Sequence, residues 1–150
     1  EYLDRFARQN HDSGGAKTFV AVSLAAPTRV LGFYSISPGA IAFERVPPRL
    51  TKKLVRSDVP AFRLGRLAVD RSVQGRGLGS DLLLAAGERA LAVAAEVGGV
   101  ALTIDAKDDR AAKWYVRFGA LALLDDPLKL ILPLPVIAKA IAAAEKHRSK

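Results

Sequence analysis

The chain alternates short apolar runs, rich in β-branched and aromatic residues, with breaks of glycine, proline and polar residues. Such runs predict strands, and a short break between two of them predicts an antiparallel hairpin. The first two runs flank the turn 26–29 and are expected to form that hairpin. The strand at 62–69 is mostly apolar, which is typical of a strand covered on both faces. The predicted strands are 18–24, 30–37, 62–69, 100–105, 121–124 and 128–132.

Other stretches carry apolar residues at helical spacing. The predicted helices are the end of a helix at 2–10, a short basic helix at 45–56, and helices at 78–97, 108–118 and 135–147. The apolar residues expected to form one buried stripe on the longest helix are Leu78, Leu82, Ala86, Val93 and Val97. Gly98 and Gly99 are expected to end this helix. The order of elements predicts one α/β (α+β) domain with a central sheet.

Composition narrows the partners and the chemistry. The chain has 150 residues, 23 Lys and Arg against 15 Asp and Glu, and a net charge of +8. This excess favours an anionic partner, although it also promotes solubility. Cysteine is absent, which excludes a disulfide, a cysteine nucleophile and a thiolate metal site. We expect no metal, and the sequence shows neither a membrane span nor a signal peptide, which suits a cytoplasmic protein.

The segment 66–83 has the pattern of a phosphate-binding site. A strand runs into a turn containing Gly75, Gly77 and Gly79, and a helix follows at once. Small residues let backbone N–H groups approach phosphate oxygens, and the helix N-terminus adds a partial positive charge. The segment lacks the Gly-Lys-Ser/Thr of a nucleotide-triphosphate loop and the glycine spacing of a dinucleotide fold.

Gln74 to Gly79 matches the Gln/Arg-x-x-Gly-x-Gly/Ala signature, and the chain resembles the GNAT acetyltransferases. The helix 108–119, with Trp114-Tyr115 before Gly119, resembles their second motif. The resemblance implies a mixed, mostly antiparallel sheet flanked by helices, acetyl-CoA as cofactor, and Tyr115 as the general acid on the leaving thiolate. The residues it implies for cofactor binding are Leu67, Ala68, Val69, Gln74, Gly75, Arg76, Gly77, Leu78, Gly79, Ser80, Asp108, Ala111 and Tyr115.

A general base is not obvious from the sequence. Glu44, Asp70 and Asp105 are candidates, although each also suits a structural or surface role. An α-amine, with a pKa near 8, is partly neutral at working pH and needs little help, whereas a lysine amine at about 10.4 needs more.

A closer resemblance is to the GNAT toxins of bacterial toxin–antitoxin pairs. It rests on 63–84, 104–106, Trp114-Tyr115 and 132–134, together with 7–10 and 33–35. It implies acetylation of the α-amine of aminoacyl-tRNA, neutralisation by a ribbon-helix-helix antitoxin, a homodimer, and an N-terminal strand that is missing here. Basic residues suited to tRNA phosphates are Arg8, Arg45, Arg49, Lys52, Lys53 and Arg56.

Two alternatives stay open. A GNAT enzyme could act on a small amine, a peptide or a protein N-terminus, and it would turn over without RNA. A non-catalytic binding module would bind acetyl-CoA and acetylate no amine.

Overall fold

The computed structural model describes residues 14–148, and the side chains of 14–147. The prediction of a helix end at 2–10, and Arg8 with it, lies outside the described residues. The strands are β1 Lys17–Val22, β2 Val30–Ile41, β3 Val59–Val69, β4 Ala101–Asp105, β5 Leu121–Leu123 and β6 Asp126–Pro133. The helices are α1 Pro48–Thr51, α2 Leu78–Val97, α3 Asp109–Val116 and α4 Leu134–Arg148. The strands form one six-stranded sheet in the order β1-β2-β3-β4-β6-β5.

The sheet is mixed, as the sequence predicts. β1 pairs with β2 antiparallel, and β6 pairs antiparallel with both β4 and β5. β3 and β4 run in the same direction, because the Val100 amide donates to the Pro60 carbonyl at their starts and Arg63 contacts Asp105 further along. This arrangement is the mixed, mostly antiparallel sheet expected for the fold.

Contacts divide the chain into two compact units. The first contains the described residues up to Ser37 together with Leu64–Ala86. Within it, Phe19 and Tyr34 stack across the hairpin, with ring centroids 5.2 Å apart. Gly32 allows a close approach of strand and helix, because a Cβ there would lie 2.9 Å from both the Ala68 carbonyl oxygen and Leu82 Cδ1. The second unit contains Pro38–Arg63 and the described residues from Gly87 onward. Its core cluster consists of Ile41, Val46, Val59, Ala61, Ala101, Leu123 and Ile131.

Three sequence expectations need correction. The basic helix predicted at 45–56 is a 3-10 turn at Phe43–Arg45 followed by the single-turn α1, because like charges four residues apart, such as Arg49 and Lys53, disfavour extending it. β3 is not covered on both faces: its burial alternates, and Arg66 is exposed, as on a half-solvated sheet. On α2, Val93 and Val97 are 46% and 77% exposed, so the buried stripe does not extend to the helix end. The buried residues of α2 are Leu82, Leu83, Ala86, Gly87 and Ala90.

Candidate functional site

The segment leading into the glycine-rich turn is held by a small polar network. Asp70 accepts hydrogen bonds from the Ser72 amide, at 3.1 Å, and from the Ser72 hydroxyl. Arg29 Nη2 donates to the Ser72 hydroxyl oxygen at 2.6 Å and lies 3.6 Å from Asp70 Oδ2. The hydrogen bonds from Ser72, aided by the charge of Arg29, hold the pKa of the Asp70 carboxyl below its usual range. These side chains fix the 3-10 turn Arg71–Val73 that precedes the glycines.

The turn itself is closed by Gln74 and shaped by two glycines. Gln74 Nε2 donates to the Val69 carbonyl oxygen at 2.9 Å, which ties the turn to the end of β3. Gly75 and Gly77 have φ of +81° and +87°, in the left-handed region that favours glycine. Among the described residues, and apart from the two chain neighbours, no atom lies within 4 Å of a Cβ built on either. The backbone conformation therefore explains both glycines, and the outer surface of the turn is open.

Helix α2 begins directly after Gly77. Its first turn holds Leu78, Gly79 and Ser80, and the Asp81 amide donates to the Gly77 carbonyl at 3.1 Å. The amides of the first helical residues have no carbonyl one turn earlier to bind, and the helix dipole makes this end positive. Gly79 has no positive φ, unlike Gly77. The turn and the helix start therefore present the donors of an anion-binding site.

The remaining residues predicted to bind the cofactor lie close by in the sequence or on α3. Leu67 and Val69 are half-buried and Ala68 is exposed near the end of β3, while Arg76 is exposed in the turn. On α3, Asp108 Oδ1 accepts a hydrogen bond from the Ala111 amide at 2.8 Å and so caps the helix. This hydrogen bond between Asp108 and Ala111 fixes the start of the helix that carries Tyr115.

Tyr115 is a buried residue of α3. It is 8% exposed, and burial raises its pKa to about 12. Trp114 packs edge-on against its ring, with centroids 4.9 Å apart. The hydroxyl forms no hydrogen bond with the residues that the structure describes. Tyr115 is therefore protonated at neutral pH and able to donate a hydrogen bond.

The three carboxylates considered as general bases all have cationic partners. Asp70 contacts Arg29, Asp105 Oδ2 lies 3.1 Å from Arg63 Nη2, and Glu44 Oε1 lies 4.0 Å from Arg56 Nε. Glu44 and Asp105 are also at least half exposed. These contacts favour structural and surface roles for all three.

The predicted tRNA-binding residues fall into two groups. Arg45 Nε donates to both oxygens of Asp125, at 3.1 and 2.9 Å, and Arg56 pairs with Glu44 and lies over the Phe43 ring. Arg49, Lys52 and Lys53 take part in none of the ion pairs found among residues 14–148. They line a groove of about 320 Å³ whose other walls are largely apolar, including Leu50, Val59 and Ile131.

Two sets of residues escaped the sequence prediction. Arg29 is 43 residues from Ser72, and no local pattern indicates their hydrogen bond. Arg110, Lys113 and Arg117 are exposed on α3 and its C-cap, and their spacing of three and four residues could have signalled one basic helix face.

Within the described chain, no group of three or more His, Asp or Glu side chains could hold a metal ion. None of the helices described is both long enough and apolar enough to span a membrane.

Comparison with known proteins finds relatives of this chain in both sequence and fold. A sequence profile described as an acetyltransferase (GNAT) domain matches residues 15–119. A tRNA-acetylating toxin of Mycobacterium tuberculosis is 39% identical over 132 residues, which cover 88% of this chain and 77% of that protein. A crystal structure of a tyrosine-to-phenylalanine mutant of KacT superposes with a TM-score of 0.86 at 28% identity, covering 93% of this chain and 83% of that one. The crystal structure of AtaTR bound with AcCoA superposes with a TM-score of 0.77 at 26% identity, covering 93% of this chain and 83% of that one.

Proposed function

The chain belongs to the acetyltransferase (GNAT) domain family, and from this premise we propose that it transfers the acetyl group of acetyl-CoA to the α-amine of aminoacyl-tRNA. In this role it blocks translation as the toxin of a toxin–antitoxin pair. The choice of aminoacyl-tRNA as the acceptor rests on the 39% identity to the tRNA-acetylating toxin. The net charge of +8 supports a polyanionic acceptor.

The turn 74–80 is assigned to the pyrophosphate of acetyl-CoA. Two left-handed glycines leave its outer surface open, and the amides at the start of α2 supply donors for phosphate oxygens. Arg76, exposed in the same turn, adds a positive charge. The last residues of β3, Leu67 to Val69, are assigned to the pantetheine arm. The AtaTR structure bound with AcCoA supports the choice of cofactor.

Tyr115 is assigned to the leaving thiolate. The acceptor amine forms a bond to the acetyl carbon, the carbon–sulfur bond breaks, and the sulfur leaves with the electron pair. A phenol with a pKa of about 12 is a weaker acid than a thiol, whose ordinary pKa is about 8.5. Tyr115 is therefore expected to stabilise the thiolate by donating a hydrogen bond, and the proton released by the amine can go to solvent.

The proposal extends to the partners and the setting. Arg49, Lys52 and Lys53 are free of ion pairs among the described residues and are assigned to tRNA phosphates, with Arg8, Arg45 and Arg56 as further contacts. A ribbon-helix-helix antitoxin neutralises the enzyme, which works in the cytoplasm as a homodimer. All 150 residues belong to one acetyltransferase domain, which the match to residues 15–119 supports.

The decisive experiment incubates the protein with acetyl-CoA and total charged tRNA and follows acetylated aminoacyl-tRNA by mass spectrometry. Tyr115→Phe is the matched variant, because it removes only the hydroxyl. We expect acetylation by the wild type and a loss of about 10²-fold or more in the variant, which lacks one preorganised donor to the developing negative charge. Acetylation of small amines or peptides with none of aminoacyl-tRNA would replace the proposed acceptor. Binding of acetyl-CoA with no acetylation of any amine would remove the enzymatic function.

A further inference from the structure

The outer face of α3 carries three cations in a row. Arg110, Lys113 and Arg117 are exposed and follow one another at steps of three and four residues, which places them on one side of the helix. Ala112 and Tyr115 are the residues of this helix that are buried. At 1.5 Å per residue, the row is about 10 Å long. The helix that holds Tyr115 therefore presents a short basic stripe to solvent.

The charges of these three cations are not neutralised by ion pairs with described residues. Arg110, Lys113 and Arg117 enter none of the ion pairs within the described part of the chain. Asp109 stands four residues before Lys113 and still forms no ion pair with it at 4.0 Å or less. Arg45 and Arg56, by contrast, are partnered by Asp125 and Glu44. The stripe is thus a stronger candidate for an anionic partner than those two arginines.

Two aromatic rings border the stripe. Trp114 lies four residues after Arg110, so the two are neighbours on the helix surface. Phe118 follows Trp114 by four residues, and their ring centroids are 4.8 Å apart. Both rings are half-buried, so part of each is open to solvent. A basic row beside exposed aromatic surface is the combination with which proteins bind single-stranded nucleic acid.

We infer that this face, defined by Arg110, Lys113, Trp114 and Arg117, binds the single-stranded end of the RNA acceptor. The three cations contact successive phosphates, and Trp114 stacks on an unpaired base. Trp114 packs edge-on against the ring of Tyr115, so a base stacked on the indole would lie against the helix that carries this tyrosine. This inference deepens the proposed function and rests on it for the identity of the RNA, because charged tRNA carries its amino acid on a single-stranded end.

RNA is favoured over an acidic protein segment because of the aromatic surface. An acidic helix would use the cations but would leave the partly exposed aromatic side chains without a preferred partner, whereas every nucleobase has a face that stacks. Base–aromatic stacking contributes roughly 1–3 kcal/mol per base, which is on the order of tenfold or more in affinity. Binding should therefore depend on both the charges and the indole.

The charges are tested by the salt dependence of binding. The probe is a short single-stranded oligoribonucleotide, and its affinity is measured from low to moderate salt for the wild type, Lys113→Gln and Lys139→Gln. Lys139 is the matched control, an exposed lysine on α4. The slope of log K against log salt is negative, and each lost phosphate contact should make it shallower by about 0.7. We therefore expect a change of that size in Lys113→Gln and of about 2 in the Arg110, Lys113, Arg117→Gln triple variant. An unchanged slope in the triple variant would refute the assignment.

The indole is tested by fluorescence, because Trp114 is the only tryptophan in the chain. Stacking should quench its emission when the oligoribonucleotide is added, and Trp114→Leu should weaken binding by on the order of tenfold. An acidic peptide of the same net charge that binds more tightly, or RNA that binds without quenching, would overturn the stacking role. Neither assay requires acetyl transfer. Quenching without acetylation would therefore leave this surface standing and remove the proposed function, and acetylation without quenching would do the reverse.

Discussion

A glycine at position 77 can be required by the backbone conformation of the turn or by close approach of the diphosphate, and substitutions there separate the two reasons. The φ of Gly77, +87°, strains any residue with a Cβ. In the part of the chain that the structure describes, and apart from the two chain neighbours, no atom lies within 4 Å of a Cβ built there. Gly77→Ala should therefore cost about 1–2 kcal/mol from the left-handed backbone alone, without a steric clash inside the protein. Asparagine visits this conformation more readily, so Gly77→Asn should recover most of that stability. For a domain of this size, 1 kcal/mol corresponds to roughly 2–4 °C in Tm.

The binding of acetyl-CoA should not recover with stability. If the diphosphate contacts the backbone at Gly77, any side chain there obstructs it, and the larger asparagine obstructs it more. Losing one hydrogen bond to a charged group is worth about 1.5–3 kcal/mol, which corresponds to at least tenfold in Kd. Thermal unfolding without ligand and calorimetric titration with acetyl-CoA measure the two effects on the same samples. A Gly77→Asn protein that binds acetyl-CoA like the wild type would show that the diphosphate does not approach this backbone.

Two further predictions follow from single interactions. Gln74→Ala removes the hydrogen bond to the Val69 carbonyl and should raise KM for acetyl-CoA about fivefold with little change in kcat, as steady-state kinetics would reveal; a fall in kcat alone would contradict this positioning role. Tyr115 has a folded-state pKa of about 12 against an ordinary value of 10.0, so the stability it provides is complete below about pH 10 and is lost as pH rises towards 12. The unfolding free energies of the wild type and Tyr115→Phe, measured with denaturant, should diverge by about 2.3 kcal/mol by about pH 12, and an unchanged difference between them would refute the shift.

The turn and its helix were predictable because their determinants are local. Gln74 to Gly79 lie within six residues, and glycine at a left-handed position has few substitutes, so α2 begins and ends where the pattern predicts. Charge pairing was not predictable, because partners meet only after folding. Arg45 and Asp125 are 80 residues apart, and a basic segment looks uniformly free until such acids reach it. The same limit hid the role of Arg29 in the network leading into the turn.

The groups considered for proton transfer, each taken by itself, favour an α-amine over a lysine as the acceptor. The three carboxylates considered as bases each lie near an arginine, which favours their charged form, and burial raises the pKa of the Tyr115 hydroxyl. Tyr115 therefore supplies a hydrogen-bond donor, and the ion pairs make these carboxylates weaker proton acceptors. If none of these described groups accepts the proton, an amine reacts only in the fraction that is already neutral. The pKa values of about 8 for an α-amine and about 10.4 for lysine make that fraction differ by roughly 250-fold at neutral pH, or about 3.3 kcal/mol. The selectivity for an α-amine therefore arises because these residues do not accept the proton of the amine. The rate difference between the two amines should become smaller as the pH of the assay is raised towards about 10.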